Sequence, residues 1–269
     1  MGISSRDDLP VSVVIPCYRC RGTIDRALVS ICSQTKRPAE ILLIDDASND
    51  GTLEKLWELQ ASHPEGWIKV HSFNENRGPG AARNSGWKLA QQPFIAFLDA
   101  DDSWHSRKIE IQYKYMIGNN AVMSGHSTDI KISNEISYLS CDGLDFNNIN
   151  PAVLLFKNLY STSSVMLRRD IPLRFDEKQR FAEDYRLWTE IAFSGLAVAY
   201  SKERLAFQHK HPFLVSGLSS RILDMELGEL NVFRKLHNAR RISTTQMLTS
   251  YIWSIMRYLR RAVISGRFR

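Results

Sequence analysis

Four short, nearly uninterrupted apolar runs mark the first hundred positions, and a polar cluster follows each of them. Val11-Ser12-Val13-Val14-Ile15-Pro16, Glu40-Ile41-Leu42-Leu43-Ile44, residues 68–73 and Phe94-Ile95-Ala96-Phe97-Leu98 have strand length and read as buried strands. Between them Thr23 is placed to cap a helix running to about Gln34, residues 52–60 read as a second helix and residues 80–91 as a third. Strands alternating with helices predict the α/β class, a mostly parallel central sheet with helices on both faces. In such sheets ligands gather at the carboxyl ends of the strands, where these polar clusters fall.

Beyond Trp104 the pattern is less regular. It predicts a helix over 108–117, strands within 122–140, a helix over 151–159, a strand over 164–167, a helix over 183–194, and a loop-like segment over 200–220 around Pro212. In the last stretch Leu248, Ile252, Ile255, Met256, Leu259 and Val263 share one helical face, with Arg257 and Arg261 opposite and Arg260 beside it. The chain therefore divides into residues 1–103, residues 104–220 and a basic amphipathic helical tail over 221–269. It holds no internal repeat and no low-complexity tract.

The fourth apolar run stops at Asp99-Ala100-Asp101-Asp102. Residues two apart in extended chain point the same way, so Asp99 and Asp101 project together. Two converging carboxylates suit Mg²⁺ or Mn²⁺ completed by the phosphates of a nucleotide. A solvated acidic turn is the plain alternative.

The series Val13-Val14-Ile15-Pro16-Cys17-Tyr18, Ile44-Asp45-Asp46-Ala47-Ser48, Asn76-Arg77-Gly78 with Ala82-Arg83-Asn84, and Asp99-Ala100-Asp101-Asp102 resembles the nucleotide-sugar half of the GT-A glycosyltransferases, most of all the inverting family 2. The resemblance covers roughly residues 10–215. It implies a GT-A fold with an irregular acceptor-binding second half. The implied reaction moves one sugar, with inversion, from a nucleoside diphosphate donor, UDP-linked by preference, to a hydroxyl of a glycan or lipid-linked acceptor. The stretch from Ser161 through Ser220, with Tyr160-Ser161-Thr162-Ser163-Ser164 and Ser216-Gly217-Leu218-Ser219, is similar to family members that build bacterial surface polysaccharides.

Under this resemblance Pro16 and Tyr18 lie against the base or ribose, and Asp46 accepts a hydrogen bond from the base, a turn or helix-capping aspartate being its plainer reading. Arg77 and Arg83, beside Gly78 and Gly80, fork onto base or phosphate. Asp99 contacts the ribose or the metal, and Asp101 ligates the Mn²⁺ or Mg²⁺ that bridges the diphosphate. Asp102 points the other way and caps the next helix. Glu183-Asp184 matches the family's acceptor-site pair, with Asp184 as general base. Taken alone, that pair is an ordinary acidic helix start. His209-Lys210-His211 lies where relatives supply a late histidine or cation, so His209 and His211 are candidate metal ligands. An exposed loop histidine is the plainer reading. Where the family often has a proline after Trp104, this chain has His105-Ser106.

Other enzyme classes fit poorly. Gly78-Pro79-Gly80 is not a dinucleotide fingerprint, because Arg83 holds the third glycine position. A sugar nucleotidyltransferase needs a glycine-rich loop and a lysine directly after the first strand, and Pro16-Cys17-Tyr18-Arg19 is neither. A catalytically silent glycan- or lipid-binding scaffold of the same fold is the alternative outside enzymes, and the intact acidic motifs speak against it.

The chain has 269 residues, 43% of them hydrophobic, and a net charge of +6. After Glu229 there is no acidic residue but nine Lys and Arg, so residues 1–229 carry −3 and nucleic acid is not an expected partner. The basic amphipathic tail predicts contact with an anionic membrane surface at the inner face of the cell membrane. Packing on the catalytic domain or on a second subunit in an oligomer is the alternative. The N-terminus lacks a secretory layout and no apolar run is long enough to span a bilayer, which makes the cytoplasm the expected compartment. The four cysteines do not make a disulfide framework, and Cys17-x-x-Cys20 lies inside the nucleotide motif.

Overall fold

In a computed structural model of the chain, residues 8–130, 146–209 and 221–264 are described. The first half shows the expected alternation: β1 (Leu9–Cys17), α1 (Ile24–Cys32), β2 (Pro38–Asp45), α2 (Thr52–Ala61), β3 (Ile68–Ser72), α3 (Pro79–Leu89) and β4 (Phe94–Phe97). Then come β5 (Asp102–Trp104), α4 (Lys108–Gly118), β6 (Met123–Ile130), β7 (Phe146–Asn148), the 3-10 turns Pro151–Leu155 and Thr162–Ser164, and β8 (Met166–Arg168). The remainder is α5 (Glu183–Ala192), β9 (Val198–Gln208), α6 (Ile222–Asn238) and α7 (Thr244–Ile264).

The nine strands among the described residues form one sheet in the order β3-β2-β1-β4-β8-β6-β9-β5, with β7 on β9. The segment β3-β2-β1-β4 is parallel throughout. Beyond it β8 runs antiparallel to β4 and β6, β5 and β7 run antiparallel to β9, and β6 and β9 are parallel. The long registers are the parallel ones, so the sheet is mostly parallel. Both of its faces are covered. Val13, Ile15, Ile41 and Leu43 pack with α1, α2 and α4, while Val14, Leu42 and Ile44 pack with α3 and α5.

Two local features carry the site. Gly78 (φ 87°, ψ 166°) adopts a positive-φ extended conformation, open essentially to glycine alone, that turns the chain into α3, and Pro79 follows in the first turn, where no N–H is missed. Gly86 lets α3 lie close on β1 and β2, since a Cβ there would run into Val14. Arg83, three residues earlier on the same face, is thereby held over the strand ends. Beneath it Trp87, Phe97, Phe175 and Trp188 form an aromatic floor, with ring centroids 5.4–6.4 Å apart.

Several elements differ from expectation. Residues 198–208 form a strand, not a loop. Its charged Lys202-Glu203 step interrupts the apolar pattern because the register to β6 slips there, pairing Ser201 with His126 but Arg204 with Ser127. The helix expected over 151–159 is a single 3-10 turn started by the Asn150 side chain, which accepts from Ala152 N–H at 3.0 Å. The strand expected at 164 starts at Met166, because Thr162–Ser164 turns first. Thr23 takes the N-cap position of α1, but its hydroxyl donates to the Cys20 carbonyl and not to the helix. The strands expected over 122–140 are described to Ile130. The tail is two helices: Val232, Phe233 and Leu236 of α6 pack with Tyr185 of α5 and with Met247 and Tyr251 of α7.

Candidate active site

A cleft of about 520 Å³ opens where the parallel strands β1, β2 and β4 end. Pro16 and Tyr18 line it after β1, Asp46 after β2, Asp99 and Asp101 after β4, Arg83 from α3 and Glu183 from α5. Seven of the expected residues or their neighbours, drawn from five segments, thus share one hollow. Arg19, Ala47 and Ala182 hold φ of 50°, 55° and 55°, a left-handed conformation that costs a non-glycine residue about 1–3 kcal/mol. Arg19 lines the cleft, Ala47 follows Asp46 and Ala182 precedes Glu183.

Arg83 is the hub. Its guanidinium donates to Asp99 Oδ1 at 2.8 Å and to Glu183 Oε1 at 2.9 Å, and it lies over the Phe175 ring. Burial alone would weaken its hold on the proton, but the carboxylates of Asp99, Glu183 and Asp184 more than offset this and fix the cation. Burial pushes the Glu183 carboxyl up to about 7, helped by the Asp184 charge, while Arg83 pulls the other way. Asp184, the first-turn neighbour, accepts from Thr162 Oγ1 at 3.0 Å.

Asp99 sits between opposed influences. Burial raises its carboxyl's affinity for a proton, Arg83 lowers it and Asp101 raises it again. Asp102 does not cap α4, whose N-cap position is Arg107. It is buried in β5, accepts from Ser163 Oγ at 2.6 Å, and is pushed up to about 8 by burial and then by the Asp99 charge. Ser163 Oγ also accepts from Asp99 N–H at 3.1 Å, and the Ser163 carbonyl accepts from Trp104 Nε1 at 2.7 Å. One serine therefore ties the acidic turn to the neighbouring 3-10 turn. The sequence marks the stretch Tyr160-Ser161-Thr162-Ser163-Ser164 by resemblance alone and gives Ser163 no role of its own, because one serine among several carries no spacing signal.

The acidic turn suits a hard cation. Asp99 and Asp101 both line the cleft there and offer the oxygen donors such an ion takes. Asp101 and Asp99 would hold the ion. His209 is near, with Nε2 2.8 Å from Ser103 Oγ beside Asp102. Among the described residues no group of three or more His, Cys, Asp or Glu side chains is assembled to hold a metal by itself, and His211 lies outside them.

Two expected contacts are arranged differently. Asp46 is almost fully buried, and its carboxylate accepts from Arg77 N–H (2.7 Å), Gly78 N–H (2.9 Å) and Asn76 Nδ2 (2.9 Å). It latches the loop that starts α3 while still lining the cleft. The Arg77 guanidinium turns away from the cleft, stacks on Phe73 and pairs with Glu177 at 2.8 Å, in a separate hollow of about 830 Å³ that contains none of the motif carboxylates. Arg180 and Arg221, at the far rim of the cleft, went unnoticed in the sequence because neither stands in a motif. Cys17 and Cys20 are buried free thiols, and burial pushes the Cys17 thiol well up, away from redox chemistry.

In an open α/β sheet ligands bind at the carboxyl ends of the strands, which is where this carboxylate-rich cleft lies. The profile described as "Glycosyl transferase family 2" matches residues 12–171, and the chain belongs to this family. Over 188 residues it is 32% identical to the Escherichia coli UDP-Glc:alpha-D-GlcNAc-diphosphoundecaprenol beta-1,3-glucosyltransferase WfgD, covering 69% of this chain and 70% of WfgD. It is 34% identical over 211 residues to an uncharacterized glycosyltransferase of Rickettsia conorii, covering 74% of this chain and a third (33%) of that longer protein. Among solved structures, S. aureus TarS 1-349 in complex with UDP-GlcNAc superposes with a TM-score of 0.70 at 18% identity, covering 91% of this chain and 72% of that one. A mannosyltransferase of Pyrobaculum calidifontis in complex with GDP-Man and Mn²⁺ gives 0.67 at 16% identity, covering 96% and 76%. The last two establish the GT-A fold.

Proposed function

We propose that this chain transfers a sugar from a UDP-sugar, with inversion, to a hydroxyl of a lipid-linked or other glycan acceptor in the cytoplasm of a bacterium, as a step of surface-polysaccharide synthesis. The observation that carries this reading is the convergence of Asp46, Arg83, Asp99, Asp101 and Glu183 on one cleft, with Asp184 beside it at the start of α5. Pro16 and Tyr18 flank the nucleotide, and Asp46 holds the loop against which the base sits. A divalent cation on Asp101 and Asp99 would act as a Lewis acid on the departing diphosphate. Arg83 holds Asp99 and Glu183 in place for that ion and for the acceptor. Asp184 takes the proton of the acceptor hydroxyl as it attacks the anomeric carbon from the face opposite the diphosphate, which inverts the configuration. The UDP preference and the lipid-linked acceptor rest on the names of WfgD and of the TarS complex.

A donor screen tests the proposal. Release of UDP, GDP or dTDP is followed across common sugar nucleotides with a polyprenyl-diphosphate-linked N-acetylhexosamine as acceptor. Acceptor-dependent release of UDP is expected. Release of another nucleotide corrects the donor, and release from none of them overturns the reading.

A further inference from the structure

The last helix is turned inside out. On α7 the charged face is directed inward: Arg257 and Arg261 pair with Glu229 and the nearly buried Glu226 of α6, and Ser250 and Ser254 are fully buried. The opposite face carries Leu248, Ile252, Ile255, Met256, Leu259 and Val263, all between 44% and 69% exposed. Helical spacing puts these six on one side, roughly half a turn from the two arginines. A soluble amphipathic helix normally buries its apolar stripe, so an exposed one of this length marks an interaction surface.

We propose that this face of α7 lies on the surface of a lipid bilayer. The occupant follows from three observations. First, α7 carries no acidic residue, and Arg260 is exposed beside the stripe, so a second copy laid on it brings no complementary charge whereas an anionic headgroup does. Second, Trp253 is 42% exposed next to the stripe, anchored by Nε1 to the Phe156 carbonyl at 2.9 Å and in edge contact with the exposed Phe156 ring. Amphipathic aromatic rings of this kind suit the headgroup level. Third, the cleft is connected to α7 through α6. Arg221 at the cleft rim starts α6, and Glu226, which holds Arg261, is five residues on, about 7.5 Å along the helix axis. No helix among the described residues is long and apolar enough to cross a membrane, so α7 lies along the surface. The inference takes its purpose from the proposed lipid-linked acceptor: a bilayer under α7 presents that acceptor near the cleft rim. Because Arg257 and Arg261 are engaged with α6, burial of the stripe supplies most of the binding, and added salt weakens it only slightly.

The test is sedimentation of the full chain with vesicles of equimolar phosphatidylcholine and phosphatidylglycerol, in the absence of donor. The wild type is expected to sediment, and Ile252→Glu with Leu259→Glu to reduce the bound fraction at least about tenfold, because two apolar anchors are lost. The double variant should melt as the wild type does and retain UDP release with a water-soluble acceptor, since both side chains are exposed. Absence of wild-type sedimentation, or equal sedimentation of the variant, overturns the proposal. So does a dimer in solution that the double variant splits while vesicles stay unbound, which assigns the face to a second copy. Loss of UDP release in both proteins, with vesicle binding intact, counts against the glycosyltransferase reading alone.

Discussion

Under the proposed function Asp101 in the cleft and Asp184 beside it divide the chemistry, and each has a distinguishing substitution. Asp101→Asn should leave the fold intact, because the side chain stands partly exposed in the turn between β4 and β5 and not in the core. UDP with Mn²⁺ is expected to raise the melting temperature of the wild type, and Asp101→Asn should abolish that rise. Full turnover in excess chelator would contradict the metal role. Asp184 and Glu183 are adjacent but differ in their partners, since Glu183 is held by Arg83 whereas Asp184 accepts only a hydroxyl and its own neighbour's N–H among the hydrogen bonds described. Asp184→Asn is expected to bind donor and lose about 10²–10⁴ in transfer rate, the usual range for a general base. Glu183→Gln keeps a hydrogen bond to Arg83 and should remain within about tenfold of wild type. The reverse ranking in a rate assay would move the base to Glu183, and a product of retained configuration would require another mechanism.

At the scale of elements, the acidic turn is held by the 3-10 turn at Thr162–Ser164 as much as by β4. Ser163→Ala removes the acceptor of Asp99 N–H and the donor to Asp102 together, so it should destabilise the fold by about 1–3 kcal/mol. Urea denaturation measures this, and a midpoint equal to wild type would show that the turn is held elsewhere. The same scale explains what was legible. The strands β1, β2 and β4 are apolar on both faces and were read correctly to within two residues. β9 was missed because a bulge places Lys202 and Glu203 in the middle of it, and a bulge is a pairing event that one strand's sequence does not display.

For the whole molecule, α7 is both packed and exposed. Deleting residues 244–269 takes Met247 and Tyr251 away from Phe233 and leaves Glu226 buried without Arg261, so the melting temperature should fall by several degrees. An unchanged melting temperature would mean that the α6–α7 contact adds little to stability. Acidification tests another global term. Burial, and then the Lys108 charge, push the fully buried His126 down to about 3, against an unfolded value of about 6.5. The folded state thus binds this proton less tightly than the unfolded one. Its contribution to stability is complete above about pH 6.5 and is lost as pH falls toward 3. His126→Gln should flatten the decline in melting temperature between pH 6.5 and 4, and an identical decline in both proteins would place the acid sensitivity elsewhere.

The sequence alone determined the class of fold, the order of its first seven elements and the acidic turn, because these follow from local periodicity and from side chains adjacent in the chain. It also placed Arg257 and Arg261 opposite the apolar stripe, since helical angle depends only on spacing. The tertiary structure decided the partners. Asp46 became a latch for the Asn76–Gly78 loop, the guanidinium of Arg77 left the cleft for Glu177, and the tail arginines, expected to meet lipid, met Glu226 and Glu229 instead. Hydrogen bonds and ion pairs form between groups remote in sequence, and their geometry exists only after the sheet and helices have packed. Residue type fixes what a side chain can bind, and packing fixes what it does bind.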